Sequence, residues 1–343
     1  MCFFWRSRFF VLAAFLGLTI LLLCNPAAAA SGFAQGVSLC LHTLLPALFP
    51  FFVTCSMVAS ASRQKGSFWT ALFLSWLGGY AVCASLVRDL LTQGKLSNRD
   101  AQLLFMLGCC SGPGFVIGCI GGQMLGSVRT GILLYTVQLI ANLLCALLLW
   151  PIISKRHSRT RLPYQSAQSA TPSVSLSDAI TSAADSCLCL CGSVIFFRIV
   201  HAILLCSFPV APVLVPFVSA FLEISSGCAD FAALGGWTAR QGICFCLSFL
   251  SVSVFTQLHA ILHSAADLGL LFCSRLLHIP IMLVLLRIAV SLIPGEFPVF
   301  SSLAPRVIAT NRVSPDAAFV VFLFLCAVLY KIRQKNYNSS IHR

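Results

Sequence analysis

Charge is scarce in this chain. Asp, Glu, Lys and Arg make up 9% of its 343 residues, where a soluble domain carries about 25%. Acidic side chains are scarcest, at nine against 22 Lys and Arg. So little polar surface excludes a fold bathed in water on all sides. With 59% hydrophobic residues and a mean hydropathy of +0.94, the chain reads as an all-α polytopic membrane protein. Its length accommodates roughly ten segments of about 20 residues joined by short loops. No nucleophile–base pair or metal-ligand set stands out either, so neither an enzyme nor a cofactor is expected.

The 18 cysteines do not restore a disulfide framework. Most lie inside apolar runs (Cys109, Cys110, Cys145, Cys244, Cys246, Cys326), where Cys acts as a small hydrophobe, and the small secreted scaffold that needs bridges is absent. Cys187, Cys189 and Cys191 alternate, so only the outer two share a helix face, which argues against a metal trio.

The net charge of +13 is concentrated in three places. Arg6 and Arg8 precede the first apolar run. Lys155, Arg156, Arg159 and Arg161 sit in a central polar segment, and Lys331, Arg333, Lys335 and Arg343 close the chain. Each cluster flanks an apolar span, which favours three cytoplasmic regions over a nucleic-acid patch. Residues 1–30 have the layout of a signal peptide: a basic start, an apolar run over 9–24 and four alanines. A retained first helix is the expectation, because further spans follow at once.

Apolar elements are expected at 9–24, 36–60, 68–91, 101–121, 126–150, 178–206, 208–222, 228–235, 241–263, 268–293 and 315–331. This gives an N-terminal helix (1–35), a first membrane half (36–150), a cytoplasmic linker rich in Ser, Thr and Pro (151–175), a second half (176–293) and a C-terminal helix with its tail (294–343). The halves have similar length, and each holds interrupted, re-entrant helices followed by a long one, so two pseudo-repeats are expected.

The interruptions are the candidate site. In the first half they are Gly79 and Tyr80, then Cys109 and Cys110 followed by Ser111, Gly112 and Pro113. In the second they are Glu223 with Ser226 and Gly227, then Ser251, Ser253 and Gln257. In lipid an unpaired backbone group costs several kcal/mol, so helices break only where protein or a wet cavity receives those groups. Broken segments in both halves point to a solute site near the bilayer midplane.

Ser111-Gly112-Pro113 would offer a half-helix N-terminus to an anion, or simply kink a helix. Tyr80 would give a ring and a hydroxyl to the site, or belong to an interfacial belt. Ser253 and Gln257 share a helix face, as solute contacts or as interhelical polar contacts. Glu223, an acid inside an apolar run, would take a proton, hold a coupling cation, or pair with Arg198 or Arg240. His259, His263 and Asp267 line one helix face at a helix end, where water accounts for them better than a metal or proton relay. Arg88, Arg129, Arg275 and Arg287 sit near span ends and are expected to snorkel to headgroups, with one of them left as a candidate anion clamp.

Six stretches in order resemble the YlbJ-type sporulation integral membrane proteins, which carry a nucleoside-recognition (Gate) domain. Leu45 to Phe51 looks like the family's "PSLFPF" signature, and Gly79 to Ala84 with Leu86 and Leu90 like its glycine-tyrosine motif. Lys95 to Gln102 resembles its linking stretch, and Ser111 to Gly118 its Ser-Gly-Pro motif. Leu222 to Gly227 looks like its Leu-Glu-Ile motif, and Ser253 to Gln257 like the end of its last motif. Ala81, Cys83, the Cys109-Cys110 pair, Phe255 and the Leu250-Ser251 pair depart from it; the last stands where the family has two glycines. The resemblance covers about residues 28–290. It implies transport of dipicolinate, a flat aromatic dianion, across the outer forespore membrane; the lipid bilayer and, through Glu223, a coupling cation are the further partners expected. It also implies distant similarity to concentrative nucleoside carriers.

Overall fold

A computed structural model describes residues 2–62, 67–156, 175–262 and 265–292. Most of the linker, His263 and the C-terminal segment with its expected last helix lie outside the described residues. Every regular element described is a helix, and no β-strand occurs among the described residues. Six helices are long and apolar enough to cross a membrane: Pro26–Val58, Phe68–Thr92, Val128–Arg156, Leu176–Ser207, Gly236–Leu262 and Leu268–Leu292. The protein is an integral, multi-pass membrane protein.

After an N-terminal helix, α1 (Cys2–Cys24), each half runs through the same four units. The first half opens with a long helix made of α2 (Pro26–Leu39), a wide π turn (Cys40–Leu44) and α3 (Leu45–Ser62). Next comes α4 (Phe68–Thr92), broken at Gly79, and then α5 (Asn98–Gly108), which stops and restarts as a π-helical segment, Gly114–Met124. Helix α6 (Val128–Arg156) closes the half. The second half opens with α7 (Leu176–Ser207). Helices α8 (Val215–Leu222) and α9 (Ile224–Leu234) follow, broken at Glu223, then α10 (Gly236–Phe249) and α11 (Ser251–Leu262), broken at Leu250. Helix α12 (Leu268–Leu292) closes it.

Packing follows the repeat. The opening helices α2 and α7 lie against each other, as do the closing helices α6 and α12. Between halves, α4 packs on α11 and α9 on the Gly114–Met124 segment. Each of these contacts exchanges with itself or with the other under a two-fold relation, which is the pseudo-symmetry of inverted or parallel repeats.

Small residues set the close approaches, as expected where lipid tails leave no hydrophobic drive between helices. A Cβ added at Gly32 would lie 2.8 Å from Ile199 Cα, and one at Gly36 2.8 Å from Ile195 Cα. These two glycines, four apart on one face of α2, let it press against α7. A Cβ at Gly121 would likewise lie 2.6 Å from Gly131 Cα. On α6 one stripe is buried (Val137, Gln138, Ala141, Cys145), while Leu143, Leu147 and Leu148 point outward, as on a membrane helix with one protein-facing side.

Side-chain caps mark several starts. Ser67 accepts from the Thr70 amide, Ser97 from the Asp100 amide, and Ser175 forms a reciprocal box with Asp178. The element expected at 208–222 is shorter: Pro212–Leu214 makes one tight turn and the helix proper begins at Val215. The helix expected from 228 instead starts at Ile224, because Glu223 caps it.

Candidate functional site

In the first half the two breaks cross backbone to backbone. Gly79 has φ 79° and ψ −168°, a region that only glycine occupies readily. A Cβ there would lie 3.0 Å from Gly112 N and 3.4 Å from Cys110 O; one at Gly112 would lie 3.0 Å from Leu77 O. No side chain fits between the strands of chain that meet here.

Backbone groups freed by these breaks are met by side chains from neighbouring helices. Trp76 O accepts from the Tyr135 hydroxyl at 2.9 Å, and Leu77 O faces the Cys55 thiol at 3.6 Å. At the end of α5, Phe105 O accepts the Cys109 amide at 2.9 Å and Gly108 O the Cys110 amide at 2.9 Å. Leu107 O accepts the Trp76 indole N–H at 3.1 Å, and Met106 O accepts Arg275 Nη2 at 3.5 Å. Gln138 Nε2 donates to Ser111 O at 2.9 Å. Such pairing of freed backbone groups is what a break inside lipid demands.

The second half satisfies its breaks locally. Glu223 is extended (φ −150°, ψ 130°) between α8 and α9. Its Oε1 accepts the Ser225 amide at 2.9 Å and its Oε2 the Ser226 amide at 2.7 Å. The carboxylate thus sits on the positive end of α9, where an anion is stabilised. Gly227 is a packing glycine: an added Cβ would run into the Ala220 backbone. At the other break, Leu250 (φ 71°) and Ser251 (φ 66°) are both left-handed, a conformation that side chains resist. Both are fully buried, which holds them there, and Ser251 Oγ accepts the Val254 amide at 3.4 Å.

The breaks at Gly79, Cys109–Gly112 and Glu223 come together near Tyr80. Glu223 lies near enough for its charge to be felt at Tyr80, Cys119 and Cys40. Tyr80 in turn neighbours Cys109, and Arg275 is felt at Cys83, Cys109 and Cys110. A buried acid and a buried cation therefore both lie close to the crossing point. Of the sequence candidates, Gly79, Tyr80, Ser111, Gly112, Pro113 and Glu223 belong to this centre, and Ser226 joins them through its amide.

Ser253 and Gln257 are placed differently. Ser253 Oγ meets Ser193 Oγ of α7 at 2.6 Å, and Gln257 Nε2 reaches both hydroxyls at 3.4–3.5 Å. Their polar groups are spent on fastening α11 to α7.

Three ionic expectations are corrected. Glu223 does not pair with Arg198; that guanidinium forks onto Asp230 at 2.6 Å through both oxygens and also donates to Ser219 at 3.2 Å. Arg240 bonds Gly236 O at 3.4 Å and lies over the Trp237 ring. Arg275 does not snorkel: it is 0% exposed, two turns inside α12. Asp267 pairs with Arg156 at 3.1 Å and caps α12 through the Leu270 amide at 3.0 Å, whereas His259 faces a phenyl-lined groove with Phe217 and Phe255.

Sequence reasoning missed Tyr135, Gln138, Asn142 and His278. Gln138 and Asn142, four apart in an apolar run, were the available signal for a polar stripe on α6. The chain matches no protein-family model, no curated protein and no solved structure.

Proposed function

We propose that this protein is a membrane carrier for a small anionic solute, working by alternating access around the centre at Tyr80. The observation that carries the reading is the meeting of broken helices from both halves close to a buried acid and to a buried cation that has no acidic partner among the described residues. Soluble or purely scaffolding helices gain nothing from such breaks, whereas midplane solute sites are built from them. The cargo that the sequence resemblance implies is dipicolinate, moved across the outer forespore membrane with both termini cytoplasmic. One departure from that family supports the alignment of motifs. Its glycine pair falls on Leu250 and Ser251, the two non-glycine residues with positive φ among the described residues.

Saturable uptake of labelled dipicolinate into proteoliposomes holding the full chain is the test. Nucleoside flux without dipicolinate flux would move the cargo to the related carriers. A folded, reconstituted protein that moves neither would return the chain to a scaffold in spore assembly.

A further inference from the structure

Between the end of α5, α6 and α12 lies a closed polar cluster with too few partners. Arg275, Ser274 and His278 of α12 are all 0% exposed, as is Gln138 of α6; Asn142, also of α6, is 1% exposed. His278 is anchored, with Nδ1 2.8 Å from Ser248 Oγ and Nε2 3.4 Å from Gln138 O. Ser274 lies against Cys145, so α6 and α12 run antiparallel here and Asn142 falls at the level between. Yet Arg275 Nε and Nη1, both amide atoms of Asn142, Gln138 Oε1 and the hydroxyls of Ser274 and Ser111 have no hydrogen-bond partner among the described residues. Only Nη2 of the guanidinium makes a contact, the long one to Met106 O.

Arg keeps its charge at any accessible pH. A buried ion without a counter-ion is among the costliest arrangements in a protein, and unsatisfied buried polar atoms signal a missing water or ion. Among the described residues no carboxylate pairs with Arg275: Asp230 and Glu223 are committed to Arg198 and to the α9 amides. Cys83, Cys109, Cys110, Cys145 and His278 are the titratable groups around it.

We infer that Arg275, with Asn142, Gln138 and Ser274, forms an occluded anion-binding site, taking a small anion as a cargo carboxylate or as a halide. Arg275 supplies two partnerless nitrogens, Nε and Nη1, with three N–H groups between them, Asn142 Nδ2 and Ser274 Oγ supply neutral donors, and the closed wall raises the strength of each contact. The site is not one of the helix breaks that the sequence motifs mark. Its occupant is cargo only if the carrier reading above holds; binding itself does not rest on that reading.

Thermal unfolding of the purified full chain in detergent tests the site, with sodium HEPES as the reference salt at constant ionic strength. One arm adds dipicolinate and the other sodium bromide. The melting temperature is expected to rise saturably in at least one arm. Arg275→Gln should weaken that anion about tenfold or more, since a charge-assisted bond is lost. Asn142→Ala, a milder change, should weaken it less and covers the case in which Arg275→Gln does not fold. In HEPES alone Arg275→Gln should melt no lower than the parent, because it removes an unmatched charge; a cation serving only to cap Met106 O would give the opposite. A rise with dipicolinate makes this the cargo contact, and a rise with bromide alone keeps the site while removing it from the transport path. No rise in either arm, or a rise unaltered by both substitutions, overturns the inference.

Discussion

Gly79→Ala separates the strain of one residue from the contact between two broken helices. Gly79 (φ 79°, ψ −168°) and Gly235 (φ 71°, ψ 176°) share a backbone region closed to side chains. Placing alanine there costs about 1–3 kcal/mol in either case. Around Gly235 nothing lies within 4 Å of an added Cβ, so strain is the whole cost. At Gly79 the new methyl would sit 3.0 Å from Gly112 N, and that neighbour is main chain held by its own bonds. Overpacking of this kind adds about 1–3 kcal/mol, so Gly79→Ala should lose about 2–6 kcal/mol in all. Against a total stability of about 5–15 kcal/mol, that is a large fraction. Melting curves of both variants in detergent, with Gly112→Ala as a partner, give the comparison. Gly79→Ala melting together with Gly235→Ala, or a neutral Gly112→Ala, would refute the backbone crossing on which the site is built.

Other substitutions probe the remaining joints. Glu223→Ala strands two buried amides at about 1–3 kcal/mol each, whereas Glu223→Gln keeps one acceptor; stability should fall in the order Glu, Gln, Ala, and an Ala variant melting with the parent removes the capping role. Arg198→Leu should cost about 1–3 kcal/mol by leaving the half-buried Asp230 without its partner. The double variant Arg198→Leu/Asp230→Leu should lose less than the sum of the singles in a double-mutant cycle, and simple additivity would deny the pair. Gly36→Leu should lose about 1–3 kcal/mol by prising α2 from α7, while Gly192→Ala, with open space around it, should melt like the parent.

The breaks themselves were legible in the sequence, because Gly78-Gly79, Gly112-Pro113 and a lone Glu223 cannot continue an apolar helix unnoticed. What fills each break was not. Two acids, Glu223 and Asp230, lie within reach of Arg198 along the chain, and only the fold at Glu223, which turns its carboxylate back onto its own helix, decides between them. Arg275 looked like a span-end residue because it follows the polar Asp267 closely. Helix α12 starts at Leu268, so Arg275 is two turns in, and which stripe of α12 meets α6 is a tertiary fact. The start of α9 was misplaced for a related reason. Ser225 and Ser226 read as a polar break, but once Glu223 accepts their amides they become a first helical turn. The wide turn at Cys40–Leu44 left no local mark, since its residues would suit an ordinary helix equally well.

The halves solve the same problem by different means, and the difference bears on movement. Second-half breaks are closed by local bonds, Glu223 to its own helix and Ser251 to Val254. First-half breaks borrow from other elements, including Arg275 of the second half at 3.5 Å. Among the described residues, beside the Arg156–Asp267 pair at its end, the α6–α12 seam is tied by the 3.4 Å approach of His278 to Gln138 O and by Ser274 against Cys145, while Arg275 ties α12 to Met106 O of α5 at 3.5 Å; both distances lie at the weak end of hydrogen bonding. Rocking of one half against the other would therefore give way along this seam first, uncovering the Arg275 cluster while the second-half caps stay intact. Ser274→Cys beside the native Cys145 provides a lock: oxidation to a disulfide should arrest flux in proteoliposomes and reduction should restore it. Undiminished flux through the oxidised protein would place the moving boundary elsewhere.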